Sequence, residues 1–385
     1  MYTLGVYAER MENKGISRRS FTAAALAVAA LPLGVAGFAG QAVAAPARLH
    51  LPRPTGPYPV GTVPLLLVDR SRAEPRELMA SVWYPARDVR RYPLAPWMLP
   101  APLRDLLASA GFAADAALSP ITAGHTGAPV LRGRFPVILF SHGAHDQRAD
   151  TTITVQELAS HGYVVVTVDH TDDAYVEFPD GRVLVPSEVI PMGPADFAAD
   201  IRFVLDRLED LGAAGALPAG LGDALDLRRV GMFGWSKGGS ATARVLFADP
   251  RVRAGLSLDG PMEPVVEGGV LDRPFMMMTA EFTRAAEPAV AEFWSQLRGW
   301  RLNVQAEGGL HRSYTDYQLL VAELAQVIGM SEADLEGWNG TLDAGRAVKI
   351  QQAYPLAFFD RHLRGRRSRL LDGPSPAFPE VRYLP

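Results

Sequence analysis

The chain is predicted to be an α/β protein with a mainly parallel central sheet and helices on both faces. Two observations carry this. Apolar runs recur at residues 137–140, 164–168, 230–233, 254–258, 275–279 and 302–306, none of them carrying a charged residue, as expected of strands covered on both sides. Between them lie segments of helical period. A helix is expected around 153–160, and another over 196–211, where Phe197, Ile201, Val204, Leu205 and Leu208 form one apolar stripe. Strands alternating with helices imply crossover connections and parallel pairing. In such a sheet functional side chains gather at the carboxyl ends of the strands.

Taken from the amino terminus, the first 44 residues read as an export signal. Ser17-Arg18-Arg19-Ser20-Phe21 precedes an apolar run over 23–39 and the small-residue pattern Ala42-Val43-Ala44, together a twin-arginine signal with a cleavage site. Pro32 and Gly34 interrupt the run, which disfavours an uncleaved anchor helix. One domain is expected over 45–385, in a secreted or periplasmic setting. Cysteine is absent, so the exported fold must stand on its core without disulfides. The formal net charge is −4. Arg10, Lys14, Arg18 and Arg19 outnumber Glu9 and Glu12 in the signal, so the remainder is more acidic still, which argues against nucleic acid or an anionic membrane as the main partner. Residues 46–60 are Pro-rich and extended, and strands are expected at 63–68 and 78–83. Two insertions follow, an apolar one over 93–112 and one over 171–194 with the hairpin-like Glu177-Phe178-Pro179-Asp180-Gly181-Arg182-Val183. No internal repeat interrupts the chain.

The strand expected at 230–233 runs into Gly234-Trp235-Ser236-Lys237-Gly238 and then a helical segment. A Gly-x-Ser-x-Gly at a strand-to-helix turn is the pattern of a nucleophile elbow, because the glycines let a strained turn lift the serine clear of the sheet. An activated serine needs an imidazole base and an orienting carboxylate. Two histidines follow Ser236. His311 lies on a Gly-rich loop after a strand and is the better base; His362, in a basic helical run, is expected to be solvated. Asp259 and Glu281 both end strands, and both are candidates for the acid. His142, His145 and Asp146 admit a metal reading, but no second His or Cys cluster completes a ligand set, so no metal is expected. His142 is expected to brace its loop by hydrogen bonding.

Further motifs sit upstream and downstream: Pro54 to Gly61, Phe135-Pro136-Val137-Ile138-Leu139-Phe140-Ser141-His142-Gly143-Ala144, Glu157 to His170, Leu258-Asp259-Gly260, and His311 with Tyr314-Thr315-Asp316. As an ordered set over most of residues 54–365, they resemble the α/β-hydrolases of the platelet-activating-factor acetylhydrolase type, related to secreted bacterial lipases and esterases. The resemblance implies that Asp259 is the acid, with Glu281 as the alternative. It also implies that the backbone N–H groups of Ala144 and Lys237 form the oxyanion hole, in keeping with the helix N-terminus at Lys237. Trp235 and Lys237 depart from the residues common at family elbows and are expected to narrow or recharge the pocket. Trp235, His145 and Trp97 are the pocket candidates, and Trp97, Met98 and Leu99 are expected to line an acyl pocket or touch lipid aggregates, packing over the sheet edge being the alternative. The implied activity is hydrolysis of small-molecule or lipid carboxylic esters through an acyl-enzyme, with no cofactor. The alternatives are a polyester or cutinase-like hydrolase and a silent hydrolase fold used as a secreted binding protein.

Overall fold

The computed structural model of the protein describes residues 46–215 and 217–385; the expected signal segment lies outside them. The sheet has eleven strands: β1 (Val60–Asp69), β2 (Arg76–Pro85), β3 (Leu94–Pro96), β4 (Ile121–Thr126), β5 (Phe135–Ser141), β6 (Val164–Val168), β7 (Leu225–Trp235), β8 (Val252–Leu258), β9 (Phe275–Thr279), β10 (Arg301–Ala306) and β11 (Val381–Leu384). Their spatial order is β11-β10-β9-β8-β7-β5-β6-β2-β1-β4-β3. From β6 to β10 all pairs are parallel. Antiparallel pairing enters where β2 meets β6 and β1, where β3 meets β4, and where β11 closes the far edge. This is an α/β-hydrolase fold with a mainly parallel centre and mixed flanks.

The helices are α1 (Pro100–Ser109), α2 (Thr152–Ser160), α3 (Pro194–Ala213), α4 (Lys237–Ala248), α5 (Pro288–Gln296), α6 (Tyr317–Ile328), α7 (Glu332–Asn339) and α8 (Ala344–Arg364). The predicted stripe of α3 packs with α4 and α5 on one face, against Val137, Leu139, Val166 and Met232. Helices α2 and α8 cover the other, against Ile138, Phe140, Val165 and Phe233. Consecutive residues of one strand thus feed opposite cores, which is why the central strands are apolar on both faces rather than alternating. Local signals set the ends of helices. Pro194 is the first residue of α3 and Asp196 accepts from the Gly193 N–H at 2.8 Å; Asp343 accepts from the Arg346 N–H to start α8, and Gly365, at φ 67°, stops it.

Two expectations are corrected here. Trp97 and Met98 are buried in a third cluster with α1 and α6, and of that trio only Leu99 is exposed. The Trp97 indole N–H donates to Ala149 O and to Asp316, and its ring meets Tyr317 edge-on, so it is a packing residue and offers nothing to a lipid surface. His362 is half-buried rather than freely solvated: it packs on Trp300 and Phe358, and burial, together with Arg361, lowers its pKa to about 4.

Candidate active site

Ser236, Asp259 and His311 all follow carboxyl ends of parallel strands, β7, β8 and β10. Ser236 lies between β7 and α4 at φ 53°, ψ −121°, a conformation costly for a residue with a Cβ. The flanking glycines make the turn possible: a Cβ on Gly234 would stand 2.2 Å from the Gly238 carbonyl, and one on Gly238 would stand 2.0 Å from the Ser141 carbonyl oxygen. The first turn of α4 is therefore pressed against the end of β5. Ser236 is half-buried, so its side chain keeps access to solvent. Among the described residues, three of the five non-glycine residues with positive φ, His145, Ser236 and Asp259, fall in this site, a concentration of strain usual at functional positions.

Asp259 is wholly buried. One oxygen accepts the N–H groups of Ala280 at 2.7 Å and Phe282 at 3.0 Å; the other accepts the Glu281 N–H at 3.2 Å and His311 Nδ1 at 2.7 Å. Three backbone donors thus fix the carboxylate, and the carboxylate fixes the imidazole with Nδ1 as its protonated nitrogen. Glu281 reaches only the backbone N–H of His311, at 3.4 Å. Of the two candidate acids, Asp259 is the one that meets the ring.

Trp235 is buried and does not line an open pocket as expected. It joins three segments instead. Its indole N–H donates to His311 O at 2.9 Å, its ring lies 4.9 Å from the His311 ring, and a Cβ on Gly143 would stand 2.3 Å from its edge. Glycine at 143 therefore lets the loop after β5 settle onto Trp235 and brings Ala144 beside the elbow, where a Cβ on Gly143 would also come within 3.2 Å of Ser236 Cβ. Ala144 and His145 are exposed on this loop. Lys237 does not recharge the site either: its ammonium is buried against Asp173 and the Met192 carbonyl. Asp173 also accepts the His145 N–H, so the Lys237 side chain ties the loop of Ala144 to the start of α4. The Asp173 partnership had no signal in the sequence, because the two residues are 64 apart.

His142 sits beneath this loop. Its Nδ1 meets Gly143 O at 2.6 Å and its Nε2 accepts the His170 N–H at 3.0 Å, so Nδ1 carries the proton and both nitrogens are engaged, which leaves none for a metal. Burial, with His170 nearby, holds its pKa well below the ordinary value and keeps it neutral. A second Ser-His-Asp array, unforeseen from sequence, lies deeper: Ser141 Oγ is 2.8 Å from His170 Nε2, and His170 Nδ1 is 3.1 Å from Asp200. All three are fully buried, His170 stacks on Phe197 at 3.7 Å, and Asp200 also takes Arg72 and Arg76. Burial alone would raise Asp200, but His170 and Arg76 hold its carboxyl below the usual range. A hydroxyl without solvent access at the end of β5 braces the loop that follows; it does not meet a substrate.

A buried carboxylate, an imidazole fixed in one tautomer, a strained half-exposed serine and a helix N-terminus together supply what acyl transfer demands. Comparison with known proteins gives the family. A family model described as platelet-activating factor acetylhydrolase, isoform II, matches residues 43–177 and 218–369. The chain is 28% identical to a probable 1-alkyl-2-acetylglycerophosphocholine esterase of Arthroderma benhamiae, over 88% of this chain and 95% of that protein. It is 23% identical to the platelet-activating factor acetylhydrolase of Cavia porcellus, over 81% and 78%. Among solved structures, a ferulic acid esterase from Streptomyces cinnamoneus superposes with a TM-score of 0.75 at 35% identity, covering 88% of this chain and all of that one.

Proposed function

Because the chain belongs to the platelet-activating factor acetylhydrolase, isoform II, family and is an ester hydrolase, we propose that it cleaves carboxylic esters through an acyl-enzyme on Ser236. The observation that carries this reading is the Asp259–His311 pair at 2.7 Å, with His311 packed against Trp235, the residue before the strained, half-buried Ser236. His311, its Nδ1–H held by Asp259, takes the Ser236 proton at Nε2 as the oxygen attacks the ester carbonyl. The N–H groups of Ala144 and Lys237 receive the oxyanion, each worth about 3 kcal/mol in the transition state. Collapse of the tetrahedral intermediate returns the proton from His311 to the leaving alcohol. Water then attacks the acyl group by the reverse sequence, with His311 again the base, and releases the acid and free Ser236.

Small esters, glycerophospholipid-type acetyl esters and aromatic-acid esters are the candidate substrates, the last two by analogy with the relatives above. The test is hydrolysis of a p-nitrophenyl ester series from acetyl to palmitoyl, with methyl ferulate beside it, by the wild type and Ser236→Ala. We expect activity to vanish in the variant together with labelling by a fluorophosphonate. A folded wild type inert to both would point to a silent binding protein. We also propose that residues 1–44 direct export. No helix among the described residues is long and apolar enough to cross a membrane, and replacing Arg18 and Arg19 by Lys should keep the protein inside the producing cell.

A further inference from the structure

Arg312 stands one residue past His311, half-buried. Its guanidinium lies over three aromatic rings, Trp235 at 6.0 Å, Tyr317 at 5.1 Å and Trp338 at 5.8 Å. Several other half-buried arginines of this protein are spent on carboxylates: Arg76 on Asp172 and Asp200, Arg251 on Asp249, Arg346 on Glu380. Among the described residues the Arg312 guanidinium has neither a hydrogen-bond acceptor nor a carboxylate within 4.0 Å. The acids that feel its charge are Asp146 and Asp150, both fully buried; burial pushes both carboxyls up, Asp150 also through Asp146 and Asp316. Aromatic faces hold the cation in place without using its N–H groups. Five donors so fixed, with no acceptor, match a planar or tetrahedral oxyanion. The Trp235 ring beneath Arg312 also lies 4.9 Å from the His311 ring, which puts the bound charge close to the reacting ester.

We propose that Arg312 is a substrate-recognition residue, selecting esters that carry a carboxylate or phosphate near the scissile bond. The proposal rests on Ser236 and His311 being the reacting groups. The test compares kcat/KM within matched pairs: phenyl acetate against 4-acetoxybenzoate and 4-acetoxyphenyl phosphate, which charge the leaving group, and dimethyl against monomethyl glutarate, which charges the acyl side. The wild type should favour an anionic member of one pair. Arg312→Gln should reduce that anionic-to-neutral ratio by about tenfold or more, through KM, as expected for a lost charge-assisted contact; Arg312→Lys should restore part of it. No anionic preference in the wild type, or equal losses on both members in the variant, overturns the proposal. A second measurement, calorimetric titration of the wild type, Arg312→Lys and Arg312→Gln with phenyl phosphate and with phenol, does not need turnover. Binding of phenyl phosphate alone, weakened in both variants, supports Arg312 even if no ester is cleaved, in which case it is the reading of Ser236 that fails; equal binding to all three proteins sinks the anion site.

Discussion

Asp259 and Glu281 end neighbouring strands and look alike in sequence, but three backbone N–H groups aim one carboxylate at the His311 ring and leave the other on its backbone. Asp259→Asn keeps the shape and loses the charge and the tautomer control, so kcat should fall by about 10³–10⁴, whereas Glu281→Gln should cost only a few-fold; steady-state rates on one p-nitrophenyl ester separate them. The reverse ranking would make Glu281 the acid. His362 gives a pH test. Its folded pKa, about 4, lies below the ordinary value of 6.5 because burial disfavours the cation. A base depressed in this way stabilises the fold above pH 6.5 and loses that contribution as pH falls toward 4. The wild type should therefore lose roughly 1–2 kcal/mol more than His362→Phe between pH 7.5 and 4.5, after allowing for partial exposure. Denaturant melts of both proteins at the two pH values would show it, and parallel losses would remove the argument.

The elbow works because two backbones meet where no side chain fits. In Gly238→Ala the new methyl would meet Ser141 O and His142 O, neither of which is a flexible side-chain end, so the start of α4 must shift. We expect a loss of about 2–3 kcal/mol in urea unfolding and a larger fall in activity than in stability, since Ser236 and the Lys237 N–H move together; an active variant of normal stability would mean that the turn is looser than described. Helix α2 depends on a distant partner in the same way. No acidic residue stands in its first turn, and Asp316, far along the chain, accepts the N–H groups of Thr152 at 2.9 Å and Ile153 at 3.0 Å together with the Trp97 indole at 2.8 Å. Asp316→Ala should cost about 2–4 kcal/mol, the sum of a lost cap and the buried Ile153 N–H left unpaired, read as a lower urea midpoint. An unchanged midpoint would show that water replaces the cap.

The sheet order places β7 between β5 and β8, so the elbow, the loop of Ala144 and the loop of Asp259 become neighbours by topology alone. One sheet with a core on each face should unfold cooperatively. Residues 45–385, produced without the leading segment, are expected to melt in a single transition unaffected by reductant, since the chain has no cysteine; two transitions by calorimetry would divide the domain. The central strands and the α3 stripe were legible in the sequence, because hydrophobic period is local, and so were Ser236 and His311, because an elbow and a loop histidine have local signatures. The outer strands β3, β4 and β11 escaped it, being short and dependent on partners for their pairing. Between Asp259 and Glu281 the residues alone leave the choice open and the resemblance favours Asp259, but it takes the packed molecule to show that Asp259 meets the imidazole, that Trp97 is buried and His362 half-buried against aromatic rings, that Lys237 is paired with Asp173, and that Ser141, His170 and Asp200 form a buried brace. Each of those turns on which side chains, distant along the chain, meet in a low-dielectric interior where an unmatched polar group is costly, and no spacing within the sequence encodes that meeting.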